Sequence, residues 1–312
     1  MPLITMKQIL ADSLKLALSD CDPKDRYAVG AFNFSTLPEI VGIVEGAAAK
    51  NAPVILMASL GAIKYIGSLE LIADAVKGVA RTYPKVPICL HLDHATDMEQ
   101  IKQAVVVGFT NVMIDASSED YEVNIAKTRE IADFAHKHSP YGIDGCSVEA
   151  ELGMLAGHED NISVSEEDAD KAYTDPALVP RFVEETQLDA LAVAIGTAHG
   201  YYKADPKIRF DLLEQIRKSC DVPLVLHGGT GVPEEDFRKC AAMGMSKINV
   251  GTGLKKVYTD AVRKAIETLP ENEYDPRKIV GPGRKAIANE IASVCDLFGC
   301  SGKAPAILKS IY

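Results

Sequence analysis

The sequence predicts a (β/α)8 barrel, a TIM barrel formed by one domain over residues 1–312, and three observations carry that prediction. Eight short β-type runs recur from end to end of the chain. Helical periodicities fill the gaps between them. No GxGxxG fingerprint follows the first run, "YAVGAFNF", as it usually does in the rival architecture, a doubly wound sheet.

The elements follow in order. Residues 1–20 form an amphipathic pattern suited to a helix that caps the barrel floor. The β runs are 27–34 "YAVGAFNF", 53–59 "PVILMAS", 87–93 "PICLHLD", 111–115 "NVMID", 147–152 "SVEAEL", 190–196 "ALAVAIG", 223–228 "PLVLHG" and 247–252 "KINVGT". Their near-continuous apolar character suits parallel strands buried on both faces. Pro53, Pro87 and Pro223 sit at strand entries, where a missing N–H costs little. Apolar residues at helical spacing lie between the runs, as in 97–107 and 120–138, and a helical extension closes the chain. The stretch 153–175 is acidic, contains glycine and reads as one long loop, suited to a mobile lid.

Composition narrows the function. Lys plus Arg number 33 against 44 Asp plus Glu, a net charge of −11. Such an acidic surface disfavours nucleic acid or an anionic membrane as partner, but not a small phosphorylated substrate, which needs only a local nest of donors. The N-terminus lacks the basic and continuous apolar regions of a signal peptide, and no apolar run is long enough to span a bilayer. The seven scattered cysteines form no CxxC pair and read as free thiols. Together these features suggest a cytoplasmic protein.

Polar groups collect where the strands end: Asn33, Ser59, Asp93 with His94, Asp115, Glu149 with Glu151, His199, His227, and Asn249 with Thr252. Barrel enzymes build their sites at that C-terminal face. Three histidines from different strand ends, His94, His199 and His227, could meet on one metal ion, and imidazole nitrogen suits zinc. The alternative is three separately hydrogen-bonded imidazoles. His91 shares a strand face with Asp93 and reads as a core or supporting residue, whereas His136 and His138 read as solvated on a helix. The loops "LHGGTG" and "KINVGT", after strands seven and eight, stand where this barrel usually binds phosphate. Schiff-base chemistry needs a lysine at the barrel mouth. Strand six has none, and Lys247 opens strand eight at the opposite end, so carbonyl chemistry here should depend on a metal.

The segments "HLDH", "MIDAS", "VEAELG", "GTAHGYYK", "LVLHGGTG" and "KINVGT", in this order, resemble class II, metal-dependent ketose-bisphosphate aldolases over nearly the whole chain. The resemblance implies Zn2+ bound by His94, His199 and His227, with Asp115 and Glu151 as carboxylates near the metal. It implies that Asp93 exchanges a proton with the C4 hydroxyl and that Glu159 moves the proton on the dihydroxyacetone-phosphate carbon. It implies a pocket for that product from Gly200, Gly228, Gly229, Thr230, Asn249, Gly251 and Thr252, lined by Asn33 and Ser59. Arg277 would reach the distal phosphate across a subunit boundary of a homodimer or homotetramer. A monovalent cation, Na+ or K+, would sit near the glycine loops. Two positions depart from the family pattern: Ala156 stands where many relatives have a second glycine, and Gly251 where relatives often have Asp or Asn.

The expected reaction is reversible cleavage of a ketose 1,6-bisphosphate, fructose 1,6-bisphosphate first, to dihydroxyacetone phosphate and glyceraldehyde 3-phosphate. Tagatose 1,6-bisphosphate or another ketose phosphate is the near alternative, and a non-catalytic sugar-phosphate binding protein the distant one. A metal hydrolase of the amidohydrolase kind would usually carry an HxH pair on strand one, and "YAVGAFNF" has no histidine.

Overall fold

The computed structural model describes residues 3–138, 145–154, 156–159, 162–164, 173–200 and 206–311, with the side chains of 156–159, 162–164 and His199 outside that description. The chain runs α1 (Met6–Ala17), β1 (Val29–Asn33), α2 (Leu37–Ala49), β2 (Val54–Ala58), α3 (Leu60–Ile66), α4 (Leu69–Thr82), β3 (Ile88–Ala95) and α5 (Met98–Val107). It continues through β4 (Asn111–Ile114), α6 (Tyr121–Ala135), β5 (Ser147–Leu152), β6 (Ala156–Glu159), β7 (Ile162–Val164), α7 (Val179–Thr186), β8 (Ala190–Val193) and β9 (Ala198–His199). It ends with α8 (Phe210–Ser219), β10 (Leu224–Leu226), α9 (Glu234–Ala242), β11 (Met245–Val250), α10 (Thr252–Thr268), α11 (Pro276–Leu297) and α12 (Ala304–Ile311).

Eight parallel strands close the barrel in the order β1-β11-β10-β8-β5-β4-β3-β2. Each of the eight β runs read from the sequence overlaps one of them, with β3 running on to Ala95 and β11 starting earlier, at Met245. The strands are apolar on both faces because their inner side chains fill the barrel and their outer ones meet the helices. Val54, Ile55, Leu56, Met57 and Ala58 of β2, for example, are all fully buried.

Helix α1 covers the floor as its amphipathic pattern suggests. A capping box between Thr5 and Gln8 starts it. The segment before it joins the barrel floor, where Ile4 N donates to Ile88 O at 2.8 Å and Lys7 N to Ser147 Oγ at 3.1 Å. Met6, Ile9 and Leu10 are wholly buried beneath the strands. No helix among the described residues is long and apolar enough to cross a membrane.

Two expectations are corrected. The stretch 153–175 is not a single loop: β6 and β7 form an antiparallel ladder, and β6 adds a parallel pairing with β9. These strands are too short to show a period, and their third member lies far along the chain. His136 is exposed at the end of α6, as expected, and its Nε2 also meets Asp189 Oδ2 at 2.8 Å beside the floor. Lys247 does not open its strand. It is the third residue of β11, has no exposed surface, and its Nζ donates to both oxygens of Glu149 at 3.0 and 2.9 Å.

That ion pair is the fully charged member of a set of buried polar groups that includes His91, Asn111 and His227. Burial alone would raise the pKa of the Glu149 carboxyl. Lys247, with His91 and His227, reverses this and holds it well below the usual range. The stabilisation is therefore full above the unfolded glutamate pKa of about 4.3 and fades as pH falls toward the folded value. Lys247→Met, which leaves a buried carboxylate without its cation, is expected to lower stability by about 3–5 kcal/mol. The double variant Glu149→Gln/Lys247→Met should recover most of that loss, read as denaturant midpoints at neutral pH.

Candidate metal and sugar-phosphate site

The site begins with a distortion of β3. The register with β4 shifts between Leu92 and Ala95, and His94 has φ of +46°, a left-handed conformation that a side chain rarely adopts. A strand would send Asp93 and His94 to opposite faces. The distortion lets both serve one polar cluster, at a backbone cost of about 1–3 kcal/mol.

His94 Nδ1 donates to Asp115 Oδ2 at 2.7 Å, and Asp115 Oδ1 accepts from Ser117 N and Oγ at 3.2 and 2.7 Å. Asp115 thus orients His94. On its other edge His94 Nε2 lies 2.8 Å from Nδ1 of His227, with the rings edge to face at 81°. His227 Nε2 donates to Glu149 Oε1 at 2.9 Å, which joins it to the buried Lys247 pair. Glu151 Oε2 is 3.6 Å from His227 Nδ1.

This chain of hydrogen bonds assigns the protons. The Nε2–H of His227 points at Glu149, so its Nδ1 offers a lone pair, and His94 donates from both nitrogens. Burial opposes charge on His94, but the Asp115 hydrogen bond and the Asp93 and Glu151 carboxylates push its pKa up to about 10. Burial, with the charges of His94 and Lys247, pushes His227 down to about 4 despite Glu149. One imidazolium therefore faces one neutral imidazole.

Donor atoms of His94, Glu151 and His227 lie within 4.8 Å of one another. Two imidazoles and a carboxylate in that space form a donor set that fits Zn2+. The backbone of His199 is placed in β9, while its imidazole falls outside the described side chains, as does the carboxylate of Glu159.

Asp93 is 2% exposed, and its Oδ2 accepts from Asn33 Nδ2 at 2.8 Å. His91, wholly buried, holds Nε2 3.6 Å from Asp93 Oδ1 and bonds Asn111 through Nδ1. Burial opposes charge on Asp93, yet His91, His94 and His227 hold its pKa well below the ordinary value.

Beside Asp93 opens a pocket lined by Asn33, Gly200, Gly228, Gly229, Thr230, Asn249, Gly251 and Thr252. Gly228 has φ of +67°, and a Cβ there would stand 2.4 Å from Ala198 O, so only glycine fits this turn. The 17-residue α10 starts at the pocket with no side-chain cap on Gly251, and Gly253 N donates to Thr230 Oγ1 at 3.0 Å. Uncapped N–H groups at a helix start favour an anion. Asn249 Oδ1 is buried with no hydrogen-bond partner among the described residues.

Ser59 and Arg277 are not among the residues that line this pocket. Ser59 Oγ accepts from Ala62 N and caps α3. The Arg277 side chain is 89% exposed and pairs with Asp275. The sequence reading gave no role to Glu149 or Lys247. A period of two was the available signal: it puts Glu149 on the face of Glu151, and Lys247 on that of Asn249.

Comparison with known proteins agrees with this geometry. Residues 13–303 match the family model described as fructose-bisphosphate aldolase class-II. The fructose-bisphosphate aldolase of Geobacillus stearothermophilus is 41% identical over 305 residues, covering 97% of this chain and 99% of that protein. The fructose-bisphosphate aldolase of Staphylococcus aureus is 39% identical over 305 residues, covering 97% of this chain and all of that protein. Among solved structures, the YdjI aldolase of Escherichia coli K12 superposes with a TM-score of 0.79 at 30% identity, covering 97% of this chain and 99% of that one. The chain belongs to the class-II fructose-bisphosphate aldolase family.

Proposed function

We propose that this chain, working as one barrel domain, cleaves fructose 1,6-bisphosphate reversibly through a Zn2+ ion held by His94, His227 and His199, with Glu151 beside them. Membership of the family supports the class, a metal-dependent carbon–carbon lyase. One observation carries the reading of the site: the His94–Glu151–His227 cluster, Asp93 and the pocket at the start of α10 adjoin at one end of the barrel.

Cleavage of the C3–C4 bond leaves negative charge on the three-carbon ketone, centred on its C2 oxygen. When bound, zinc supplies a Lewis acid for that oxygen. The chain's own groups do the rest. The pocket formed by Gly228, Gly229, Thr230 and the start of α10 holds the phosphate of the dihydroxyacetone half, so the reacting carbons stand beside Asp93. Asp93, ionised and held through Oδ2 by Asn33, takes the C4 hydroxyl proton. Glu159 returns a proton to the carbon of the ketone fragment. Asp115 and Glu149 fix the two imidazoles, leaving Nε2 of His94 and Nδ1 of His227 to face each other. Lys247, buried and paired with Glu149, is not placed to form an imine.

Arg277, exposed and outside the pocket, belongs in this reading to the neighbouring subunit's substrate, which makes the enzyme a homo-oligomer. A monovalent cation beside the glycine loops would find an oxygen donor in Asn249 Oδ1. The cytoplasm, with its sugar phosphates and reduced thiols, is the fitting compartment.

Four outcomes are expected. A coupled assay should detect triose phosphate release from fructose 1,6-bisphosphate that EDTA abolishes and Zn2+ restores. Borohydride with substrate should leave the enzyme active, and covalent trapping would overturn the mechanism. Asp93→Ala should bind Zn2+ normally and lose about 10²–10⁴-fold in kcat; unchanged turnover would remove Asp93 from the chemistry. Zinc binding to the metal-free enzyme at pH 7 should release about one proton, because His94, with its pKa raised to about 10, starts protonated. Calorimetry in buffers of differing ionisation enthalpy reads that proton, and zinc affinity should rise between pH 7 and about 10.

A further inference from the structure

We infer that Gly251 is a positioning residue for Asp93: its missing side chain makes the room in which the Asn33 carboxamide lies, and that carboxamide aims Asp93. The inference rests on the reading of Asp93 as the acid/base.

Gly251 joins β11 to α10. Its φ of −111° is open to any residue, so backbone conformation does not call for glycine there. What calls for it is Asn33. A Cβ on residue 251 would stand 2.5 Å from Asn33 Oδ1 and 3.3 Å from its Cγ. The closeness follows from the barrel's own register: β1 pairs with β11 at Ala31↔Asn249 and Phe32↔Val250, which carries Asn33 up beside Gly251.

The consequence falls on Asp93, on the far side of the same carboxamide. Asn33 Nδ2 donates to Asp93 Oδ2 at 2.8 Å. Asp93 Oδ1 is buried and has no hydrogen-bond partner among the described residues. Oδ2 is thus fixed by Asn33, while Oδ1 has only the 3.6 Å approach of His91 Nε2 and is the oxygen offered to the substrate hydroxyl. All three residues line the same pocket.

The end of an Asn side chain is its most mobile part, so a methyl group on residue 251 would be accommodated by turning the carboxamide away. Asp93 would then keep its charge and lose its aim. A misplacement of about 1 Å at a reacting group costs roughly 10²-fold in rate. Gly251 therefore sets the rate of C4 proton transfer through Asn33, without touching substrate at its own Cβ position.

A double-mutant cycle tests this on the zinc-loaded enzyme, with Gly251→Ala, Asn33→Ala and the two together. The readouts are kcat and KM for cleavage, solvent-deuterium exchange into dihydroxyacetone phosphate, and Zn2+ affinity by chelator competition. The exchange reaction breaks a carbon–hydrogen bond that Asp93 does not serve. Gly251→Ala should lower cleavage kcat by about 10- to 100-fold, far more than it lowers exchange, with Zn2+ affinity unchanged. In the Asn33→Ala background the same substitution should cost nothing further, because there is no carboxamide left to displace. Wild-type kcat in Gly251→Ala, an equal loss in both backgrounds, or exchange falling in step with cleavage would each overturn the inference. Should Gly251→Ala fail to fold, Asn33→Ala must restore folding, and a double variant that stays unfolded is equally fatal. Asp93→Ala, measured alongside, separates the two layers. Full turnover in it removes the acid/base reading itself, whereas an inactive Asp93→Ala with Gly251 and Asn33 uncoupled removes only the inference.

Discussion

A single line of buried polar contacts runs from the barrel interior to its mouth, and the site depends on it. Lys247 holds Glu149, Glu149 holds His227, His227 meets His94, and His94 is held by Asp115. Taking such groups out of water is costly, and mutual attraction repays the cost only when every member is satisfied. The lysine supplies the positive charge that lets a carboxylate stay ionised in an apolar barrel. That carboxylate in turn selects the tautomer of His227 and aims its other nitrogen at the mouth. The mutual geometry of His94 and His227 is therefore set from beneath, by the buried Lys247–Glu149 pair.

The barrel's register does the remaining placement. Parallel strands bring their ends to one rim, so residues distant in the chain become neighbours there. Asn33 and Gly251 meet because β1 and β11 close the barrel, and Asp93 meets Asn33 across the mouth. His94 is the exception that β3 had to bend for. The same rim carries the start of α10, beside the pocket that Asp93 and Asn33 help to line. One rim thus brings the His94–Glu151–His227 cluster, Asp93 and that pocket together.

The fold itself was legible in the sequence. Parallel strands buried on both faces must be apolar throughout, and helices covering them must be amphipathic, so the alternation of the two patterns survives in one dimension. The polar residues at the strand ends stood out against those runs for the same reason, which is how Asp93, His94 and His227 could be named before any geometry. The family's motifs added roles to residues whose types alone left several choices open.

Tertiary structure alone decided the rest. A charged residue inside a strand reads as misplaced until its counter-charge is seen, and Glu149 is the partner of Lys247 only because β5 and β11 face each other across the barrel. The ladder of β6, β7 and β9 escaped notice because its strands are too short for a period to show. Ser59 caps α3, a use its place at a strand end did not reveal until the next turn of chain was placed. Gly251 stood out in one dimension only as a departure from the family's pattern, and its closeness to Asn33 needed the barrel. Composition and periodicity determine which residues are buried and which end of a strand is polar; which buried groups touch is a matter of register and closure, and those exist only once the eight strands have joined.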